Sequence, residues 1–417
     1  MPVAESSLII WSVAAAATAL VILRPGRVPE YVWAMGAALG LTACGLIPWR
    51  LALAAIAEGG DVYLFLTGMM VLAELARQEG LFDWLARYAV QHARGSGQRL
   101  FDLVFLVGTL VTVFLSNDAT AVVLTPAVYA ACKAAKAEPL PYLFICAFIA
   151  NAASFVLPIS NPANLVVFGS QMPPLLEWLR QFTLPSLGAI AMTYLVLRLT
   201  MRKRIHQPLA VAIEMRPLSA GARLCALGLM FTGTLLLTVS ALDVPLGLPT
   251  FCAGMATVGL IHLRQRRSPA PLLRHVAWGV LPLVAGLFVL VEAVAHTGVI
   301  ERLAHMLAAL AQQSPGTASW AAGVISAMAG NLMNNLPTGL IAGSIGQLVE
   351  LPRQTTAALL IGVDLGPNLS ITGSLATLLW LVAIRREGEH VGALSFLRLG
   401  VLVMPPALVA ALLLLAV

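Results

Sequence analysis

Long apolar runs alternate with short charged segments along the whole chain, and the runs are of two kinds. Most have about the length a helix needs to cross hydrocarbon, about 20 residues. They predict spans near 6–23, 30–47, 60–77, 142–169, 184–201, 222–242, 248–263, 277–296, 354–382 and 394–416. The runs 100–130 and 317–347 differ, because polar residues break each one near its middle. The breaks are Ser116-Asn117-Asp118 and Asn334-Asn335, the latter followed by Pro337. One straight helix over 100–130 would be about 46 Å long against a core of about 30 Å, and two crossings would need more chain. A hairpin that enters halfway and returns fits both runs. The spans 142–169 and 354–382 carry Pro, Gly and Asn inside them and read as broken helices.

The pattern repeats. Residues 68–87 match 286–305 at Gly68/Gly286, Glu74/Glu292, Gly80/Gly298 and Ala86/Ala304, among others, at an offset of 286 − 68 = 218. Asn117-Asp118 aligns with Asn334-Asn335 at 217, and the segment from Leu157 with that from Leu369 at 212. Three matches in order at nearly one offset indicate an internal duplication, a feature of secondary transporters. If the two hairpins do not cross, five spans separate equivalent positions. Five is odd, so the second half is inverted. The fold expected is therefore an all-α polytopic membrane protein of two inverted repeats. Each repeat has five transmembrane helices with a re-entrant hairpin and a broken helix, giving ten spans plus two hairpins. The first repeat covers 1–205, a cytoplasmic linker 206–221, and the second repeat 222–417.

Charge supports this count. Twenty-one of the 25 Lys and Arg, Arg24 and Arg216 included, fall on one face, and only Arg50, Arg180, Arg302 and Arg353 on the other. By the positive-inside rule the rich face is cytoplasmic and both termini lie outside. The net charge of +6 is thus a property of loops and calls for no nucleic acid. Composition agrees, since 59% of residues are hydrophobic and 11% charged. A soluble domain carries about a quarter charged residues. The first helix lacks a basic start and reads as uncleaved. Five Cys without a CxxC pair argue against a disulfide framework or thiolate metal site. No Walker A loop and no H-E-x-x-H motif occur, which leaves no sign of an enzyme, a cofactor or an ATPase within the chain.

Irregular chain is tolerated at membrane depth only where protein buries it or where it lines a watery cavity. Four polar clusters meet that condition: around Ser116–Thr120, Asn151–Asn164, Asn331–Thr338 and Asp364–Thr377. Inverted pairing would bring them together near mid-membrane, where half-helix ends offer partial charges. Ser116, Asn117, Thr120, Asn161, Asn164, Asn334, Asn335, Ser374 and Thr377 are the candidate solute ligands. Asp118 and Asp364 are the candidate proton-coupling residues. Intramembrane acids are costly and mark ion or proton paths, and here their repeat partners are Asn335 and Ala152, so symmetry does not demand them. Glu74 and Glu292 recur in both repeats, which points instead to a structural duty near a helix end.

The motifs SNDATAVVLTP from Ser116, SNPANLVVF from Ser160, NNLPT from Asn334 and DLGPNLSITGSLATLLWL from Asp364 resemble the arsenical-resistance efflux permeases of the ArsB type. The resemblance runs from about residue 60 to 400. It implies membership of the wider ion-transporter superfamily, with hairpins and broken helices around a central site. It also implies export of arsenite and antimonite, driven by the proton gradient or, with a separate cytoplasmic ATPase subunit, by ATP. Two departures stand out. The family more often has NND-G at the first hairpin, and Lys where this chain has Asn368. Arsenite near neutral pH is an uncharged trihydroxide, so amides and hydroxyls suit it without a Cys triad. The expectation is a proton-coupled arsenite and antimonite exporter of the bacterial inner membrane, working by alternating access. The alternatives are a sodium/proton or carboxylate carrier of the same superfamily, or a passive metalloid channel.

Overall fold

The computed structural model describes residues 3–23, 25–210, 217–242 and 244–416; Arg24, Arg216 and part of the linker lie outside them. Each predicted span carries a helix, and the described residues form no strand. In the first half α1 is Val3–Leu23, α2 Glu30–Ala43, α3 Trp49–Glu58, α4 Gly60–Gln78 and α5 Leu81–His92. Then come α6 Gly97–Phe114, α7 Asn117–Ala119, α8 Thr125–Ala134, α9 Leu140–Ala152, α10 Pro162–Phe168 and α11 Leu175–Met201. The second half opens with α12 Ala220–Ala241, α13 Gly247–Gln265, α14 Ala270–His275, α15 Val280–Ala295 and α16 Val299–Gln313. It closes with α17 Pro315–Met333, α18 Asn335–Leu348, α19 Arg353–Leu365, α20 Leu375–Arg386 and α21 Ala393–Leu415.

Packing exposes the duplication. Helix α4 crosses α13, and its equivalent α15 crosses α2; α1 lies on α2 as α12 lies on α13. Both crossings depend on a matched glycine. A Cβ at Gly68 would sit 2.5 Å from the Thr250 carbonyl oxygen, and one at Gly286 2.8 Å from the Ala34 carbonyl carbon. Glycine is needed because the partner backbone occupies the space a side chain would take. The broken helices interlock in the same way: α10 packs on α18, and α20 on α8 and the turn before it.

Four helices are absent from the sequence reading, α3, α5, α14 and α16, and α5 and α16 follow α4 and α15. Gly80 and Gly298 take left-handed φ of 73° and 77° and start α5 and α16. The chain bends by 74° between α15 and α16. Both helices are amphipathic, burying Phe82 and Ala86 in one and their equivalents Ile300 and Ala304 in the other.

The first hairpin turns at Leu115-Ser116. Thr112 and Thr120 hydroxyls lie 2.8 Å apart across the turn, whereas eight residues of straight helix would separate them by about 12 Å. A π-helical stretch over Thr120–Leu124 joins α7 to α8 just before Pro126, which has no N–H to continue the ladder. The helix starts also correct the repeat register. Ser116 and Asn334 are both N-caps, so the hairpins align at 334 − 116 = 218, not 217. Helices α9 and α19 are each 13 residues long and align at 353 − 140 = 213, not 212. In that register the counterpart of Asp364 is Asn151, not Ala152, and the counterpart of Asp118 is Leu336.

Candidate functional site

Four helices begin at the breaks, and each begins on a polar side chain that accepts its own early N–H. Ser116 Oγ accepts from Ala119 N at 3.1 Å and Asn161 Oδ1 from Ala163 N at 3.0 Å. Asn334 Oδ1 accepts from Leu336 N at 3.5 Å and Ser374 Oγ from Ala376 N at 3.1 Å. Ser and Asn are favoured caps because they satisfy donors that have no partner inside the helix. The four starts converge on one small cavity lined by Asn117, Asp118, Asn161, Asn335 and Ser374, with Leu66 of α4 and Val280 of α15 adding apolar wall. Its free space is about 10 Å³, room for about one water. Asn335 Oδ1 is buried there without a hydrogen-bond partner.

The second hairpin is fastened to the second break. Asn335 N donates to the Gly373 carbonyl at 2.9 Å, and Asn334 Nδ2 to the Thr372 carbonyl at 3.2 Å. Asn331 Nδ2 donates to the Gly366 carbonyl and its Oδ1 accepts from Ser370, at 2.8 and 2.7 Å. These bonds hold Asn334 at φ 77°, ψ 157°, a conformation that costs a non-glycine residue about 1–3 kcal/mol.

The remaining sequence-selected residues lie behind the cavity wall. Thr120 bonds to Thr112. Asn164 Nδ2 reaches the carbonyls of Ser154, Leu157 and Pro158 at 2.9–3.2 Å and pins the first break. Thr377 accepts from Asn151 Nδ2 at 3.3 Å, and the same amide donates to Asn368 Oδ1 at 3.0 Å. Asn368 in turn donates to the Phe148 carbonyl at 3.0 Å. Asn334 also borders a neighbouring cavity beside Thr18 and Leu283. The apolar Leu66 and Val280 had no signal in the sequence, and the anchoring role of Asn331 needed the folded turn to be visible.

The two acids differ in place. Asp118 is half-buried on the cavity and makes no ion pair among the described residues. Asp364 is fully buried one layer back, where its carboxylate accepts from Ser154 Oγ at 2.7 Å and Asn161 Nδ2 at 2.8 Å. Asn161 is thus shared: its oxygen caps α10 and its amide group holds Asp364.

A vestibule of about 730 Å³ opens beside Glu58, Asp61, Phe168, Glu177 and Arg353. It shares Glu58, Val62, Leu165 and Gly169 with an inner cavity of about 80 Å³ between α10 and α18. About one helical turn deeper along the same two helices lies the capped cavity. At the wall of the inner cavity α10 and α18 are in backbone contact, since a Cβ on Gly343 would lie 2.5 Å from the Val166 carbonyl oxygen.

With this geometry in place, similarities to known proteins become informative. The model of a citrate-transporter family, CitMHS, matches residues 8–362. The arsenical pump membrane protein of Escherichia coli strain K12 is 29% identical over 355 residues, covering 82% of each chain. That of Yersinia enterocolitica is 28% identical over 359 residues, again 82% of each. A putative arsenical pump membrane protein of Bacillus subtilis is 25% identical over 92% of this chain and 93% of its own. Among solved structures, the Alcanivorax borkumensis YdaH transporter superposes with a TM-score of 0.60 at 16% identity, over 92% of this chain and 96% of that one. The last likeness concerns the fold alone.

Proposed function

The chain belongs to the citrate-transporter family CitMHS, and from that premise we propose that it is a secondary transporter exporting arsenite and antimonite in exchange for protons. The observation that carries this reading is the convergence of four helix starts, capped by Ser116, Asn161, Asn334 and Ser374, on one cavity without a Lys or Arg in its wall. Helix starts attract electron-rich oxygen through exposed N–H groups. A neutral trihydroxide offers oxygens to those donors. Its own O–H groups can donate to the unpaired Asn335 Oδ1 and to Asp118. Asp118 and Asp364 are the proton-linked residues in this scheme. The similarity to arsenical pump membrane proteins supports the same substrate class.

In alternating access the hairpins and broken helices of both repeats move as a unit. We place the Arg-poor face, with Glu177 and Arg353 at the vestibule mouth, outside the inner membrane, with both termini on that side. The vestibule then opens outward. The 10 Å³ of free space means that the capped cavity must widen before a solute can bind.

A carboxylate carrier is the second reading, favoured by the family description and by the affinity of helix starts for anions. A fully ionised tricarboxylate would meet no countercharge in this wall. Everted vesicles or proteoliposomes with an imposed pH gradient and no ATP decide the matter. Accumulation of arsenite against its gradient, unaffected by citrate, is the expected result. Citrate accumulation, or arsenite movement only downhill, would defeat the proposal.

A further inference from the structure

Beside Asp364 one hydroxyl faces two acceptors at the same distance. Ser154 Oγ lies 2.7 Å from the Asn151 carbonyl oxygen and 2.7 Å from Asp364 Oδ2. A serine hydroxyl has one hydrogen and can serve only one of them. Asn161 Nδ2 supplies the hydrogen for Asp364 Oδ1 at 2.8 Å, while its own Oδ1 is committed to Ala163 N. The Asn151 carbonyl also accepts from Ser154 N at 3.3 Å, so the hydroxyl hydrogen is free to turn to either oxygen: to Asp364 Oδ2 when the acid is ionised, or to Asn151 when Asp364 carries a proton on Oδ2 and donates it to Ser154 Oγ.

No other ionisable group stands in for that proton. Helices α10, α17 and α18 carry none, and Tyr142 and Cys146 of α9, Arg398 of α21, Glu177, Arg180, Tyr194 and Arg198 of α11 and Arg353 of α19 make no bond to the carboxylate. Asp364 is fully buried, as are Ser154 and Asn151, and Asn161 is nearly so.

We infer that Ser154 is the rotor of a proton switch: it donates to Asn151 while Asp364 holds a proton and turns to Asp364 when the proton leaves, and Asn161 carries that change to the solute cavity. Loss of the proton leaves a carboxylate held by two donors, Ser154 and Asn161, and strips the Asn151 carbonyl of its side-chain donor. The stronger, charge-assisted pull on the Asn161 amide acts on the residue that caps α10 at the cavity. Ser154 and Asn161 are positioning residues for the proton step. The inference rests on the transport reading only in giving the switch a purpose.

The test uses the full chain in proteoliposomes as wild type, Ser154→Ala, Asn161→Ser and Asp364→Asn. Asn161→Ser retains a cap of the kind Ser374 provides in the other repeat but cannot reach Asp364. The first readout is the infrared carboxylic-acid band as a function of pH, which needs no substrate. Wild type should show a band that Asp364→Asn removes, and Ser154→Ala and Asn161→Ser should each displace its titration midpoint by about 1–2 pH units. The second readout compares arsenite accumulation under a pH gradient with arsenite counterflow at equal pH. Ser154→Ala, at a position outside the cavity wall, should keep counterflow and lose accumulation at least about tenfold. A wild-type spectrum without a band lost in Asp364→Asn, or a midpoint unmoved in both positioning variants, overturns the switch. If the band behaves as expected but no arsenite moves, the substrate assignment fails and the switch stands.

Discussion

Asn151 and Asp364 hold the same register in the two repeats, and each is hydrogen-bonded into the opposite repeat. Asn151 donates to Asn368 and Thr377 of the second break, and Asp364 accepts from Ser154 and Asn161 of the first. The broken helices are thereby tied together through polar side chains instead of apolar packing alone. Asp364→Ala should lower stability by about 1–3 kcal/mol, because the Asn161 amide would be left buried without its acceptor. Asp364→Asn, which can still accept from one donor, should lose less. Thermal unfolding in detergent measures both, and equal losses would show that burial, not hydrogen bonding, sets the cost.

The sequence made the breaks legible because Ser, Asn, Pro and Gly interrupt long apolar runs, and the fold follows once those interruptions are read as helix ends. It did not make the register legible. Aligning Asn117 with Asn334 by residue identity slips the first hairpin by one position, since the conserved feature is capping: Ser116 and Asn334 do the same job with different side chains. The amphipathic α5 and α16 escaped because they are too short and too polar to read as spans. Depth within the site was equally invisible. Asn161, Asn164 and Asp364 look alike as polar residues in apolar context, yet the cavity, the loop behind it and the layer behind that each claim one.

Ser374 can be replaced by the kind of cap its counterpart uses: Ser374→Asn keeps an acceptor for Ala376 N and should change unfolding by less than about 0.5 kcal/mol. Ser374→Ala should cost about 1 kcal/mol and raise the KM for arsenite. Unfolding curves and initial transport rates check this. A Ser374→Ala variant with unchanged KM would take this helix start out of solute binding.

Gly343 and Gly346 sit on one helix in opposite situations. A Cβ at 343 would meet the carbonyl oxygens of Val166 at 2.5 Å and Val167 at 3.1 Å, whereas one at 346 would meet nothing within 4 Å. Gly343→Ala should therefore force α10 from α18, destabilise by about 1–3 kcal/mol and abolish transport. Gly346→Ala should be neutral or stabilising by up to about 1 kcal/mol through helix propensity. Melting temperature and uptake, measured side by side, report the contrast.

Cys132, Cys146 and Cys225 are buried, Cys44 and Cys252 are exposed, and the cavity walls described contain no thiol. Recognition by amides and hydroxyls then predicts that a variant with all five Cys replaced by Ala still transports arsenite. A stability loss of about 1–3 kcal/mol from the buried sites is compatible with this. A folded Cys-free protein, verified by size-exclusion profile, that moves no arsenite would refute thiol-independent binding.

Glu74 and Glu292 are equivalent by sequence, at 292 − 74 = 218, but the structure gives them different surroundings. Glu74 is gripped by Arg77 through Nε at 2.8 Å and Nη2 at 2.6 Å, and by Gln78 at 3.1 Å. The position equivalent to Arg77 is Ala295, and the Glu292 side chain makes no hydrogen bond among the described residues. It faces the inner cavity with Glu58, which accepts from Gln347 Nε2 at 3.3 Å. Glu74→Gln should cost stability, by about 1 kcal/mol given that Arg77 is 46% exposed, and leave transport at each pH unchanged. Glu292→Gln should leave stability alone, since no bond is lost, and change the pH profile of transport, since it removes a charge between the vestibule and the capped cavity. If both variants behave alike in unfolding and in uptake across pH, the shared identity of the two residues reflects one structural duty, and Glu292 has no place in the path.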